Sequence, residues 1–197
     1  MNPSFETLIS GFIENKIGIS ENFLNDSLAS QLKENLISLF KSGELQNAKT
    51  GNLETAKEDK TIRGDMIFWL DKSHENVHEN LFFELMDAFI KYLNMTCYTG
   101  ITGYEFHYTR YEPGSFYKKH LDQFQNDSAR MYSMVMYLNE HWKVEDGGEL
   151  CLHHANKLQL IAPENGTCIF FKSDTLEHEV LLTNKPRLSI TGWLKTN

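Results

Sequence analysis

The sequence contains few cysteines, no long apolar run and no cluster of basic residues. Three of its 197 residues are cysteine (Cys97, Cys151 and Cys168), and this odd, widely spaced set does not indicate a disulfide framework. No segment approaches the roughly 18 apolar residues of a membrane-spanning helix. The first residues, MNPSFETLISGFIENK, lack the basic and apolar regions of a signal peptide. We therefore expect a cytoplasmic protein without a membrane partner.

Positive charge is also in deficit. Lysine and arginine number 19 against 27 aspartate and glutamate residues, and the formal net charge is −8 with histidine neutral. This balance disfavours binding to a nucleic-acid backbone, which requires a basic surface. The composition, with 41% hydrophobic residues, is ordinary for a globular chain, and the length suits one domain with a sizeable core. We expect a monomer.

The first half of the chain is predicted to be mainly helical. After the capping residues 25–27, leucines recur at helical spacing: Leu28, Leu32, Leu36 and Leu39. A second amphipathic helix is predicted over residues 77–93, with an apolar stripe of Leu81, Phe82, Leu85, Phe89 and Leu93. Between them, residues 44–59 are predicted to be a loop and residues 66–70 a β-strand. We interpret residues 1–97 as a support that packs on a core and does not fold independently.

Beyond residue 97 the pattern changes to short segments of alternating polarity separated by turns. It predicts seven strands, at residues 104–111, 117–121, 131–138, 149–153, 167–171, 177–182 and 187–194. Such spacing is typical of an all-β sandwich or barrel. Residues 98–197 are therefore predicted to form a β-core.

Three residues in this β region form a candidate metal site. His120 and Asp122 are two positions apart, and side chains at i and i+2 of a strand project from the same face. His178 lies on another predicted strand. Two imidazoles and one carboxylate form the facial triad that holds non-haem Fe(II) and leaves coordination positions open. Because a His-x-Asp sequence is often only a solvated surface pair, this interpretation depends on its context.

The last predicted strand supplies that context, because its two faces differ. Leu188, Ile190, Gly192 and Leu194 form an apolar face suited to a core. The opposite face is a mixture typical of a pocket wall: Arg187, Ser189, Thr191 and Trp193. An inward arginine is costly unless an anion meets it, and a ligand carboxylate would do so through a bidentate pair.

Two further residues are open to more than one interpretation. Tyr137 could add a hydroxyl group to the same carboxylate, although such tyrosines are more often half-buried core residues. His107 either lines the same cavity or is a buried histidine with its hydrogen bonds satisfied, and we prefer the second interpretation.

From Thr61 to Trp193 the chain resembles the prolyl hydroxylases of the oxygen-sensing type, including their smaller bacterial relatives. Five segments carry the resemblance in the same order and spacing: IRGDMIFWLD, YEPGSFYKKHLD, MYLN, DGGEL and HEV…RLSITGW. The resemblance implies a double-stranded β-helix, or jelly roll. It also implies an Fe(II)- and 2-oxoglutarate-dependent dioxygenase that hydroxylates a prolyl residue of a protein, at C4, and releases succinate and CO2.

The resemblance also assigns roles to individual residues. Iron falls to His120, Asp122 and His178. The distal carboxylate of 2-oxoglutarate falls to Arg187 with Tyr137, and the rest of this pocket is bordered by Tyr111, Tyr117 and Thr191. Substrate contacts are assigned to Arg130, Trp193 and a finger loop that contains Arg63, Gly64 and Asp65. The implied cofactors are Fe(II), 2-oxoglutarate and O2, with ascorbate as a reductant.

The substrate does not transfer with the resemblance. Residues 123–129 differ from the animal enzymes where substrate selection is expected. Glu112 also interrupts the usual Tyr-Pro-Gly, which leaves the role implied for Tyr111 open by one residue. Two alternatives therefore stay open: the same chemistry on another residue, a free amino acid or a small metabolite, and a non-enzymatic jelly-roll binding module. The coincidence of three metal ligands with Arg187 argues against the second. The bacterial relatives make a translation factor the first candidate partner.

Overall fold

The structure is a computed structural model that describes residues 2–49, 58–123, 129–154 and 157–196. Within these ranges there are three α-helices: α1 (Pro3–Asn15), α2 (Asp26–Lys41) and α3 (Val77–Cys97). The same ranges contain eleven strands: β1 (Ile17–Ser20), β2 (Gln46–Asn47), β3 (Asp65–Trp69), β4 (Gly103–Tyr111), β5 (Tyr117–His120), β6 (Arg130–Tyr137), β7 (Leu150–His154), β8 (Lys157–Ile161), β9 (Cys168–Lys172), β10 (Glu177–Val180) and β11 (Arg187–Lys195).

An asparagine caps the start of each helix, and its side chain accepts a hydrogen bond from a backbone N–H group of the first turn. The three capping residues are Asn2, Asn25 and Asn76. In α3 the predicted apolar stripe is wrong at Leu81, which is 45% exposed. The buried face instead follows the spacing i, i+4, i+7 and i+11, through Phe82, Met86, Phe89 and Leu93. No helix in the described ranges combines the length and apolar character needed to cross a bilayer.

The strands form two antiparallel sheets. The larger has the order β1-β9-β6-β11-β4-β3-β2 and the smaller has the order β5-β10-β7-β8. Val135, Tyr137 and Phe171 of the larger sheet share a buried apolar cluster with Leu152 and Val180 of the smaller sheet, so the two sheets face each other. The prediction of a mainly β jelly roll with supporting helices is confirmed.

The helices pack against the other face of the larger sheet. Buried side chains of α2 and α3 share one cluster with residues of the central strands β4, β6, β9 and β11, including Phe106, Met136, Phe170 and Ile190. The apolar face predicted for the last strand therefore faces the helices, and its opposite face looks into the space between the sheets.

All eight predicted strands, including the one at residues 66–70, are present, with ends that differ by at most two residues. Strands β1, β2 and β8 were not predicted. β1 pairs with β9 along the edge of the larger sheet, and β8 pairs with β7 in the smaller one. β2 has only two residues, too few for an alternating pattern to be recognised. β1, β2 and β3 all precede residue 98 and complete the larger sheet.

Gly192 marks the closest packing in the centre of the larger sheet. A Cβ atom added there would lie 2.2 Å from Cδ1 of Phe106 and 2.3 Å from the backbone oxygen of Glu105. Because Phe106 is the cross-strand partner of Gly192, the absent side chain is what lets this ring lie flat against β11.

We predict that Gly192→Ala destabilises the protein by about 1–3 kcal/mol, because the added methyl group overpacks the core. Gly103→Ala is the matched control, since no described atom lies within 4 Å of a Cβ added at this start of β4. Urea unfolding gives both free energies. Equal stability of the two variants would contradict the packing described for Phe106.

Candidate active site

His120, Asp122 and His178 converge at one end of the space between the sheets. His120 ends β5, and His178 on β10 is its cross-strand partner. Asp122 lies two residues past the end of β5, so the expectation that one strand presents both ligands is wrong. The chain bends after His120, yet Asp122 Oδ1 is 3.6 Å from His120 Nε2 and Oδ2 is 3.6 Å from His178 Nε2.

Backbone carbonyls orient both imidazoles. Nδ1 of His120 lies 2.7 Å from the oxygen of Lys118, and Nδ1 of His178 lies 3.1 Å from the oxygen of Leu176. A proton on Nδ1 satisfies each carbonyl and leaves the Nε2 lone pair directed toward Asp122. Metal-binding histidines are held in this way by a partner on the second ring nitrogen.

Two serines hold the carboxylate in turn. The hydroxyl of Ser133 donates to Asp122 Oδ2 at 2.6 Å and lies 2.9 Å from the Ser173 hydroxyl. Both serines are completely buried. The sequence did not predict this role, because a serine on a strand carries no motif that names its partner.

The charges of the three residues suit a metal ion. Burial raises the pKa of Asp122, but the neighbouring His178 and His120 and the Ser133 hydrogen bond outweigh it and hold the pKa well below its usual range. Burial lowers the pKa of His178. At neutral pH the cluster therefore offers a carboxylate and a neutral imidazole, the states that metal coordination requires. The three ligand atoms lie within 4.8 Å of one another, and the N,N,O donor set fits Fe(II).

Arg187 lies farther inside the same space. It is 1% exposed, and its Nε donates to the backbone oxygen of Gly148 at 2.8 Å. The guanidinium carbon lies 5.1 Å from the ring centre of Tyr111 and 4.9 Å from that of Tyr137. Gly148 has a φ of +69°, and a Cβ there would lie 3.1 Å from Cδ of Arg187, so the DGGEL segment leaves room for this side chain.

Several buried polar atoms of β6 and β11 lack a hydrogen-bond partner within the described residues. Near Arg187 they are its own Nη2 and the hydroxyls of Tyr137 and Ser189; Nε1 of Trp193 lies at the other end of β11. Ser189 is the cross-strand partner of Tyr137, so these two side chains project from the same face of adjacent strands. A buried unpaired donor costs about 1–3 kcal/mol, and a carboxylate with several lone pairs would satisfy more than one of them.

A cavity of about 320 Å³ connects the metal ligands to Arg187. Its walls include most of the residues predicted for the site: Arg63, Asp65, Tyr111, Tyr117, His120, Asp122, Arg130, His178, Arg187, Thr191 and Trp193. Tyr137 is not part of the cavity wall and instead packs beside the guanidinium of Arg187. Burial raises the pKa of Tyr137 to about 12, so its hydroxyl stays protonated and can donate a hydrogen bond.

Both interpretations of His107 are correct, because this residue lines the cavity and is also buried and hydrogen-bonded within the protein. It lines the cavity, is 4% exposed, and places Nδ1 3.1 Å from the oxygen of Tyr108 and 3.0 Å from the hydroxyl of Thr109. Burial lowers the pKa of His107 to about 4, so this imidazole is uncharged at neutral pH.

The two arginines predicted to contact substrate lie on the cavity wall as parts of ion pairs. Arg63 bonds Asp65 at 2.6 Å and covers the ring of Tyr117 at 4.3 Å. Arg130 bonds Glu105 at 2.8 Å and stacks on the ring of Trp193 at 3.5 Å. The partner Glu105 was not predicted, because it precedes Arg130 by 25 residues on a different strand.

We predict that Asp122→Ala abolishes Mn(II) binding, with Mn(II) as a redox-stable probe of the three-ligand cluster. Ser133→Ala should weaken this binding about 10–100-fold, because it removes only the hydrogen bond that orients the carboxylate. Electron paramagnetic resonance of free Mn(II) measures both affinities. Asp87→Ala, which removes an exposed carboxylate of α3, is the control and should bind as the wild type does. Undiminished binding by Asp122→Ala would refute the site.

Comparison with known proteins agrees with this geometry. The family model described as the 2OG-Fe(II) oxygenase superfamily matches residues 106–195. A PKHD-type hydroxylase of Picosynechococcus sp. is 32% identical over 90 residues, a match that covers 45% of this chain and 41% of that protein. The matched part of that relative is thus less than half of its length.

Two solved structures superpose along nearly the whole chain. A Pseudomonas putida prolyl-4-hydroxylase has a TM-score of 0.89 at 30% identity and covers 98% of this chain and 99% of its own. The second is a prolyl hydroxylase from Trichoplax adhaerens in complex with a hypoxia inducible factor oxygen degradation domain peptide fragment. It has a TM-score of 0.86 at 27% identity, and the match covers 97% of this chain and 88% of that chain.

The segment matched by the family model contains His120, Asp122, His178 and Arg187. Fe(II), 2-oxoglutarate and O2 are the cofactors that this family implies, and the donor set and the buried arginine fit them. The chain belongs to the 2OG-Fe(II) oxygenase superfamily.

Proposed function

We propose that the protein hydroxylates a prolyl residue, at C4, within a protein substrate. The observation that carries this proposal is the similarity to two prolyl hydroxylases over at least 97% of the chain, at 27–30% identity. The similarity therefore includes the β2–β3 region, which lies outside the segment matched by the family model and forms part of the cavity wall. A shared fold alone would not specify the substrate.

Residues at the two ends of the cavity have different proposed roles. His120, Asp122 and His178 would hold the iron, and Arg187 with the Tyr137 hydroxyl would bind the far carboxylate of 2-oxoglutarate. When bound, Fe(II) and 2-oxoglutarate supply the activation of oxygen that hydroxylation of a C–H bond requires. The protein orients these groups and, by the burial of Arg187 and His178, keeps water away from them.

The shape of the surface favours a peptide over a free amino acid. A second cavity of about 360 Å³ lies next to the first and also has Arg63 and Asp65 in its wall. Its remaining wall comes from β2, the residues before β3 and the turn after Tyr111. The two cavities share Arg63 and Asp65 in their walls, so an extended chain that occupied both would have residues beyond the one that reacts.

The rim of the first cavity presents aromatic surface that suits a proline ring. Trp69 on β3 is 45% exposed, and its ring centre lies 5.0 Å from that of His107 and 6.3 Å from that of Trp193. Proline-containing segments bind to aromatic grooves of this kind because the ring is apolar and its backbone is already restricted.

We predict that Arg187→Lys raises the 2-oxoglutarate concentration needed for binding at least about tenfold, since an ammonium group cannot replace the bidentate guanidinium. The measurement is the visible absorption band of the Fe(II)-chelated keto acid, recorded without oxygen. Lys185→Ala removes a surface cation two residues away and should leave the titration unchanged. Arg187 would lose its assigned role if the two variants titrated alike.

Mass spectrometry tests the proposed reaction itself. Cells that produce the wild type should contain prolyl residues with one added oxygen that are absent when His178→Ala is produced, because this variant lacks a metal ligand. A translation factor is the first protein to inspect, and fragmentation of the modified residue against a 4-hydroxyproline standard assigns the position. Added oxygen on another residue or on a metabolite would disprove prolyl hydroxylation while leaving the oxygenase chemistry in place.

A further inference from the structure

A second group of metal-binding residue types lies on the outer face of the smaller sheet. Cys151 and His153 are two positions apart on β7, and Glu179 on β10 is the cross-strand partner of Cys151. All three side chains therefore project from the same face. The neighbours Leu152 and His178 project from the opposite face, toward the space between the sheets.

The three side chains converge on one atom. Nε2 of His153 lies 3.8 Å from Sγ of Cys151 and 2.9 Å from Oε1 of Glu179. In a nucleophilic Cys-His-acid relay the thiol and the carboxylate must bind opposite nitrogens of the imidazole. Here both approach the same nitrogen, which excludes that relay and is the arrangement expected of ligands around a common ion.

The environment of the Cys151 thiol also argues against a nucleophilic role. Burial raises the pKa of Cys151, and the Glu179 carboxylate adds to the rise, whereas a nucleophilic cysteine needs a lowered pKa. The three cysteines of the chain are free thiols. A cation placed among Cys151, His153 and Glu179 would offset the negative charge of the carboxylate and stabilise the thiolate.

The distances suit a tetrahedral zinc centre. Zinc bonds of about 2.3 Å to sulfur and about 2.0–2.2 Å to nitrogen and oxygen place neighbouring ligands roughly 3.6 Å apart for S and N, and roughly 3.4 Å apart for N and O. The observed 3.8 Å and 2.9 Å differ from these values by amounts that small side-chain rotations can supply. The side chains of His153 and Glu179 are 25% and 29% exposed, which leaves an entry path and a fourth position for water.

We propose that Cys151, His153 and Glu179 bind a thiophilic divalent cation of the Zn(II) class. Sulfur and nitrogen donors select such ions over Mg(II) and Ca(II), which prefer oxygen alone. Binding would release the thiol proton to solvent as the sulfur–metal bond forms. The ion would link β7 to β10, whose inner face carries the iron ligand His178, so that two metal centres lie back to back across one sheet.

Cobalt(II) tests the site, because a thiolate bound to it gives a charge-transfer band in the near ultraviolet. The ligand set of His120, Asp122 and His178 contains no sulfur, so the band reports only the outer site. In full-length Asp122→Ala, we expect one equivalent of Co(II) to produce the band and Zn(II) to displace it. The band should vanish in Asp122→Ala/Cys151→Ser and persist in Asp122→Ala/Cys97→Ser, which replaces another thiol as a matched control.

A conservative variant distinguishes the loss of a metal ligand from misfolding. Glu179→Gln keeps the shape of the side chain and should bind Co(II) at least about tenfold more weakly, with an unchanged circular dichroism spectrum. The proposal is overturned by absence of the band in Asp122→Ala or by its survival after Cys151→Ser. Cys151→Ser should consume 2-oxoglutarate at the wild-type rate, so failure at this site is separate from failure of the proposed hydroxylation.

Discussion

The burial of the Arg187 guanidinium between two sheets is the constraint on which the rest of the structure depends. One of its donors is satisfied by Gly148, and another has no partner among the described residues. An isolated buried charge is unstable, so its surroundings must provide both room and an anion. Gly148 supplies the room, the rings of Tyr111 and Tyr137 supply weak compensation, and a ligand carboxylate completes the arrangement. Binding of the co-substrate carboxylate therefore offsets the free-energy cost of the buried Arg187 charge, which is present in the unliganded fold.

The metal site depends on a different constraint, the register between β5 and β10. That register sets His120 opposite His178, and backbone carbonyls then turn both Nε2 atoms toward Asp122. Asp122 is held from outside the strand by Ser133 of the larger sheet. One of the three ligands, Asp122, is thus fixed by a hydrogen bond from the larger sheet, so the complete metal site exists only when the two sheets are in contact.

The cavity wall shows how charge is managed next to such a site. Arg63 and Arg130 each lie on an aromatic ring and each bond a carboxylate, Asp65 or Glu105. Both arginines lie on the cavity wall, and the Trp193 ring under Arg130 lies 6.3 Å from the exposed Trp69. Alternate residues of a strand face opposite sides. Strand β10 therefore carries the iron ligand His178 on its inner face and Glu179, a residue of the proposed second metal site, on its outer face.

The sequence by itself determined the elements whose signal is local. Alternation in residues 187–194 separated the apolar face from the face with Arg187, and the spacing of His120 and Asp122 indicated metal ligands. The tertiary structure alone decided the bend that carries Asp122 past β5, the edge strands β1 and β8, and the partners Ser133, Ser173 and Glu105. It alone also brought Glu179 to Cys151 and His153. These contacts join residues far apart in the chain, and they depend on strand register and sheet packing, which no short sequence pattern encodes.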